Sequence, residues 1–413
     1  MFSFPMNRIR RQFATPTLQN IAETLRVELA PMSARIPRSS RIAIAVGSRG
    51  IKDLQSVVKT VVEWVKAQGG DPFLIPAMGT HGGATAAGQK EILEGYGLTE
   101  SQVGVPIRSS MEVVELPQGN LPHKVYYDRM ASEADGTILI NRVKPHTDFH
   151  GRYESGLVKM TVIGLGKQHQ ASQMHSLWVR GLREVIPQVA AQSLRVNNIL
   201  FGVAIVENPR DETALLKVIP RESILEQEPP LLEMARSLMP SFPVEEFDVL
   251  FLDEIGKDIS GVGMDPNLIG RLKITGEPEP ESPRIKIIII RGLTKATHGN
   301  ATGMGLADIM TRSLYNQIDF KPTYHNMVTS GFLERAKLPL IAETDHQALE
   351  IALRGAGFVE PEKARIIRIK NTLHLDELQV SLPVLEEIRG RSDIQILGPI
   401  DSPFDETGTL KAF

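Results

Sequence analysis

RIAIAVGSRGIKDLQSVVKTVVEWVKAQGGDPFLIPAMGTHGG, residues 41–83, is the stretch that decides the fold. Arg41–Val46 is a short apolar run, a buried strand, and Gly47-Ser48-Arg49-Gly50 is the turn after it. From Asp53 to Gln68, Leu54, Val57, Val58, Val61, Val62 and Val65 recur at helical spacing, and Gly69-Gly70 stops the helix. Pro72–Pro76 is the next strand, ending in Met78-Gly79-Thr80-His81-Gly82-Gly83, and a further helix runs from Thr85 to Tyr96. Strand, helix, strand, helix predicts an α/β fold with a parallel sheet wound by helices. The right-handed crossover rule puts both strand ends, with Arg49 and His81, on one edge.

A third strand, Gly136–Ile140, points its end at Asn141–His175, which reads NRVKPHTDFHGRYESGLVKMTVIGLGKQHQASQMH. Four of the ten histidines stand here: His146, His150, His169 and His175. Ligand and catalytic groups of α/β proteins gather at the carboxyl ends of strands. A merely solvated loop would not carry the apolar run Met160–Ile163. A helix from Gln173 to Ala191 and a strand at Asn198–Val206 continue the domain. Residues 223–243, with Pro229-Pro230, Pro240 and Pro243, read as a connection of short helices. Two domains are expected, 1–243 and 244–413. The second opens with strand Val249–Leu252 and a glycine-rich loop, Ile259–Gly270, followed by Arg271 and Lys273. Strands at Ile285–Ile290, Ile366–Lys370 and Ile394–Leu397, with helices around Asp308 and Asp345, make it α/β as well.

Length and composition agree: 413 residues exceed one ordinary core, and the chain is 42% apolar and 23% charged. A net charge of -3 gives no footprint for nucleic acid. No apolar run approaches the roughly 18 residues of a membrane span, and a cytoplasmic protein is expected. The opening MFSFPMNRIRRQF is basic and lacks a secretory apolar core, so it reads as a terminal arm. With no cysteine, disulfides and thiolate metal sites are excluded. A metal must then rely on histidine, carboxylate, or sulfur brought by a cofactor.

Several groups carry chemistry. Gly79-Thr80-His81-Gly82, between strand and helix, suits backbone approach to a phosphate, although a simple tight turn explains the glycines equally well. His81 at a strand end suits a general base near neutral pH. Pro145 fixes the backbone before His146. His146 and His150 have the i, i+4 spacing of a helical metal pair, though Pro145 and Gly151 argue against a helix there. Lys159, flanked by apolar residues, is either a nucleophilic amine or a snorkelling surface lysine. His175 is a ligand or a core histidine.

The ordered set Arg49, Gly-Thr-His81-Gly, Pro-His146, Ser-Gly-x-x-Lys159 and His175 resembles the nickel-dependent lactate racemase family. The resemblance implies two α/β domains with the active site in the cleft between them. It implies a nickel-pincer nucleotide, a pyridinium mononucleotide with two sulfur-bearing arms and carbon-bound nickel. Lys159 then matches the cofactor-holding lysine, His175 the nickel ligand, and His81 and His146 the acid/base pair. Arg49 matches the arginine on the substrate carboxylate. Asp265-Pro-Asn-Leu-Ile-Gly-Arg-Leu-Lys273 is similar to the family's second-domain loop, placing Lys273, with Arg271 beside it, at the substrate. The implied activity is inversion of a 2-hydroxy acid by hydride transfer, an isomerase reaction. Cofactor-synthesis enzymes are implied as partners, and a homo-oligomer is compatible with it.

This sequence departs from the family at Leu157-Val158 and in a longer span from His146 to Lys159. Ile269 and Gly270 replace the tyrosine and glutamine that touch lactate. Glycine there leaves volume, which predicts a bulkier 2-hydroxy acid. Two rival readings stay open: a metallohydrolase using His146, His150 and His175, and a non-catalytic nucleotide-binding or sensor protein. His169 and His298 have no assigned role.

Overall fold

The computed structural model describes residues 5–48, 50–400 and 403–413. The chain forms two compact units, one of residues 14–239 and one of residues 240–413 together with the opening stretch up to Phe13. That opening stretch corrects the sequence reading. Met6–Arg11, β1, is a strand of the C-terminal sheet rather than a basic arm, so the unit expected at 1–243 starts after it. Alternation is the reason. Ile9 is fully buried while Arg8 and Arg10 point outward to Glu377. Arg11 is spent on the Ser241 carbonyl and on Asp393.

In the unit of residues 14–239, the strands are β2 (Arg41–Val46), β3 (Asp71–Pro76), β4 (Val113–Leu116), β5 (Val125–Asp128), β6 (Gly136–Arg142), β7 (Ile199–Glu207) and β8 (Thr213–Pro220). β4 and β5 pair only with each other. The other five form a sheet in the order β3-β2-β6-β7-β8, parallel except for the edge strand β8. β2 is buried from Ile42 to Val46, as an interior strand with both faces covered must be. Val57, Val58, Val61, Val62 and Val65 of the helix Leu54–Ala67 join its core. Winding runs from β2 outward to β3, then returns to the other side of β2 for β6 and β7. The direction therefore reverses between β2 and β6. Such a switch point leaves a crevice at the carboxyl ends of the two strands.

The expected helix over 173–191 is a chain of shorter pieces. They are Lys167–Ser176, Trp178–Arg180, a wide π turn at Gly181–Val185 and Ile186–Val196. Instead of short helices, residues 224–237 form a single helix with Pro229 and Pro230 inside it. Pro229 has no N–H for the Leu225 carbonyl one turn back. The Tyr153 hydroxyl donates to that carbonyl at 2.6 Å.

The C-terminal unit contributes β9 (Glu246–Leu252), β10 (Arg284–Ile290), β11 (Ile309–Thr311), β12 (Leu340–Ala342), β13 (Ile366–Ile369), β14 (Glu377–Ser381) and β15 (Ile394–Ile400). Its sheet runs β12-β11-β10-β9-β13-β14-β1-β15, parallel from β12 to β13 and antiparallel beyond. Among the described residues, no helix is long and apolar enough to cross a membrane.

Candidate functional site

The switch point of the first sheet is where the loops bearing His81 and His146 begin. β2 ends at Val46 beside Ile140 of β6. A Cβ on Gly47 would stand 2.7 Å from Asn141 Oδ1, so glycine leaves room for the Asn141 side chain at the β6 end. Asn141 Nδ2 donates to the Gly156 carbonyl at 2.8 Å, tying the β6 end to the segment before Lys159. Arg49 lies outside the described residues.

β3, on the other side of β2, ends in the His81 loop. His81 Nδ1 bonds the Ser48 hydroxyl, so the ends of β2 and β3 are joined through this imidazole. The Tyr96 hydroxyl donates to the Ser48 carbonyl and fixes the serine's backbone. Gln89 is fully buried, and its Nε2 donates to the carbonyls of Gly79 at 2.9 Å and His81 at 3.2 Å. Of the glycines expected to approach a phosphate, Gly79 lies against Ile163 and Gly82 against Gly88. Thr85 caps the following helix. Thr80 and His81 are exposed.

From β6 the chain enters a loop closed by backbone bonds between Lys144 and Ser155. Glu154, with no exposed side-chain surface, is its hub. Its carboxylate accepts the backbone N–H groups of His146 and Gly151, faces His150 Nδ1 at 3.3 Å and pairs with Arg236. Burial pushes its pKa up, but the bonds from His150, His146 and Gly151 outweigh that and hold it below the usual carboxylate range. His146 is thereby fixed at its backbone. Its Nδ1 accepts the Asp148 N–H at 3.0 Å, and its ring lies 4.6 Å from that of Phe149.

Gly156 begins the run that carries Lys159 and His175. A side chain there would collide with the Glu228 carboxyl, 2.5 Å away, so this glycine admits a buried acid. Glu228 Oε2 accepts the Val158 N–H at 2.9 Å. Burial pushes the Glu228 pKa up to about 7, against the Val158 and Leu157 N–H groups that lower it. Lys159 is half-buried with Nζ 6.0 Å from the Phe149 ring. His175 is reached by solvent, yet surrounding protein and then the Lys159 charge push its pKa below the usual histidine range, with Asp148 opposing. Lys159, His175, Asp148, Phe149 and His146 therefore form one neighbourhood.

Sequence reasoning missed Ser48, Gln89, Glu154, Lys167 and Glu228. Each is explained by a partner distant in sequence. His146, His150 and His175 do not assemble as a metal site: among the described residues, no group of three or more His, Asp or Glu is arranged to hold a metal.

In the C-terminal unit, Arg271 is structural rather than a substrate group. Its guanidinium bonds Asp308 at 2.6 Å and the carbonyls of Leu306, Ile285 and Lys286. Lys273 is half-buried in a left-handed backbone conformation, φ 48°, its N–H on Glu279. Ile269 is fully buried, and the space beside Gly270 is filled by the Pro283 carbonyl. Neither residue opens volume, which removes the argument for a bulkier substrate.

No protein-family model and no curated protein matches the chain. Among solved structures it is similar to the lactate racemase apoprotein from Thermoanaerobacterium thermosaccharolyticum. The identity is 12% and the TM-score 0.52, over 88% of this chain and 94% of that one. The likeness spans both units, and at this identity it is a likeness of fold: two α/β domains, as the sequence led us to expect.

Proposed function

We propose that this chain is a racemase or epimerase of a 2-hydroxy acid that works with a nickel-pincer nucleotide. The observation that carries the reading is the neighbourhood of His146, Lys159 and His175 after β6, with His81 seated at the adjoining ends of β2 and β3. The racemase fold neighbour supports it at the level of reaction class.

The residues present fit the cofactor. Lys159 and His175 would hold it, the lysine by covalent attachment and the histidine as metal ligand. Burial and then the Lys159 charge lower the His175 pKa, which favours the neutral ring that a metal would need as ligand. A chain without cysteine supplies no thiolate of its own, which suits a group that brings sulfur with it. When bound, that group supplies reversible hydride acceptance at the hydroxyl-bearing carbon, whose hydrogen is too poor an acid for direct removal as a proton. The protein's own task is the hydroxyl proton. His81, with Nδ1 engaged by Ser48, exchanges that proton at Nε2. His146, whose Nδ1 accepts the Asp148 N–H, would exchange a proton at Nε2 with Nδ1 protonated and turned to the Asp148 carboxylate 3.9 Å away. Two such groups are what the two enantiomers require.

The test is production alongside cofactor-synthesis enzymes, followed by nickel content, intact mass and chiral chromatography on single enantiomers of several 2-hydroxy acids, lactate included. Interconversion of at least one pair is expected, with the mass increment lost in Lys159→Ala and nickel lost in His175→Ala. Nickel-loaded protein that interconverts no pair would overturn the proposal.

A further inference from the structure

Lys167 has no part in the reading above, yet it is the most completely buried cation near the site. Its side chain has no exposed surface, and Asp128, 2.9 Å away, is equally enclosed. The ammonium also donates to the Pro76 carbonyl, at the end of β3, and lies 3.5 Å from Gln89 Oε1. Gln89 in turn holds the carbonyls of Gly79 and His81. Asp128 is fixed independently, as it accepts the Ala131 N–H at 3.0 Å. A buried charge pair is costly unless its remaining donors and acceptors are satisfied, and here those bonds end on the His81 loop.

The backbone of Lys167 is as unusual as its side chain. Its φ of 51° is left-handed, uncommon for a residue with a Cβ. It stands where the π turn Met160–Gly164, which follows Lys159, gives way to the helix Lys167–Ser176, which carries His175. Strain of this kind persists only where surroundings over-determine it. The same residue therefore sets the angle between the Lys159 and His175 segments and braces the loop of His81.

We propose that Lys167 is a positioning residue: paired with Asp128 and acting through Gln89, it fixes His81 relative to the helix that bears His175. The inference rests on the reading of His81 as the proton-exchanging group. Its test does not depend on turnover.

Histidine ring-nitrogen NMR is recorded on ¹⁵N-histidine apoprotein, with the His81 signals identified by their loss in His81→Gln. Two variants are compared with wild type. Gln89→Met keeps the charge pair and the volume but removes the donor to Gly79 and His81. Lys167→Met with Asp128→Asn removes both charges together and leaves the Ala131 cap. In both, the His81 signals should leave their Ser48-bonded positions while those of His150 and His298 stay. In loaded enzyme, kcat should fall about 10- to 100-fold with KM little changed, as for a misplaced reacting group. Unchanged His81 signals in either folded variant, or loss of the fold in both, overturn the proposal. Shifted His81 signals support it even where wild type turns over no hydroxy acid, and that result would count against the racemase reading alone.

Discussion

At the scale of single residues, the two histidines are held differently. A hydroxyl faces Nδ1 of His81, and a backbone N–H fixes Nδ1 of His146. Replacing either by Gln should lower turnover by at least about 10²-fold, measured by circular dichroism from each enantiomer. For a true racemase the two directions must lose kcat/KM equally, because the equilibrium constant between enantiomers is one. Asymmetry is then expected in kcat and KM, by the same factor in each. Unimpaired racemisation by both variants would sink the two-histidine mechanism. Glu228 allows a pH prediction. Its pKa is pushed from 4.5 up to about 7, so the folded protein keeps a proton that the unfolded chain has lost. Stability should therefore fall as pH rises from about 4.5 to about 7, by an amount on the order of 3 kcal/mol, and then level off. In Glu228→Gln that fall should vanish. Urea midpoints at pH 5 and pH 8 read the difference, and equal slopes for the two proteins would refute the assignment.

At the scale of elements, the helix Ile224–Ser237 is the scaffold of the His146 loop. Tyr153 bonds its Leu225 carbonyl, Arg236 pairs with Glu154, and Glu228 caps the Lys159 segment. Tyr153→Phe should cost about 1–3 kcal/mol, since it leaves the carbonyl facing Pro229 without a donor. Thermal unfolding measures this, and an unchanged midpoint would mean that water replaces the hydroxyl. The sequence displayed eight of the fifteen described strands, the helix after β2 and the site histidines because periodicity and strand-end position are local signals. It hid the scaffold because the bonds that define it are long-range. Glu154 meets Arg236 across 82 positions, Val158 meets Glu228 across 70 and Lys167 meets Pro76 across 91. Nothing within a few residues of Glu228 marks it as buried, and Pro229-Pro230 looked like a break because the hydroxyl that rescues the helix comes from another element. Arg271 and Gly270 misled for the opposite reason. Local spacing matched a binding loop, while Asp308 and Pro283 had already claimed them.

At the scale of the whole molecule, the unit of residues 14–239 is inserted between β1 and the rest of the sheet to which β1 belongs. β1 lies between β14 and β15, so it is an interior strand with both edges paired. Ile9→Ala should cost about 2–5 kcal/mol, a value for emptying a buried site. The loss should fall on the C-terminal unit, as hydrogen exchange of β14 and β15 amides would report. Exchange unchanged there would show that β1 is dispensable. The same threading has a consequence during synthesis. Arg10 leaves the ribosome 367 residues before its partner Glu377. At roughly 5–20 residues per second, some tens of seconds separate the two. Residues 14–239 have time to fold in that interval, while a strand made at the start waits for the last strands of the chain. A nascent-chain chaperone, or a bulky fusion at the amino end, would compete for β1 before its sheet exists.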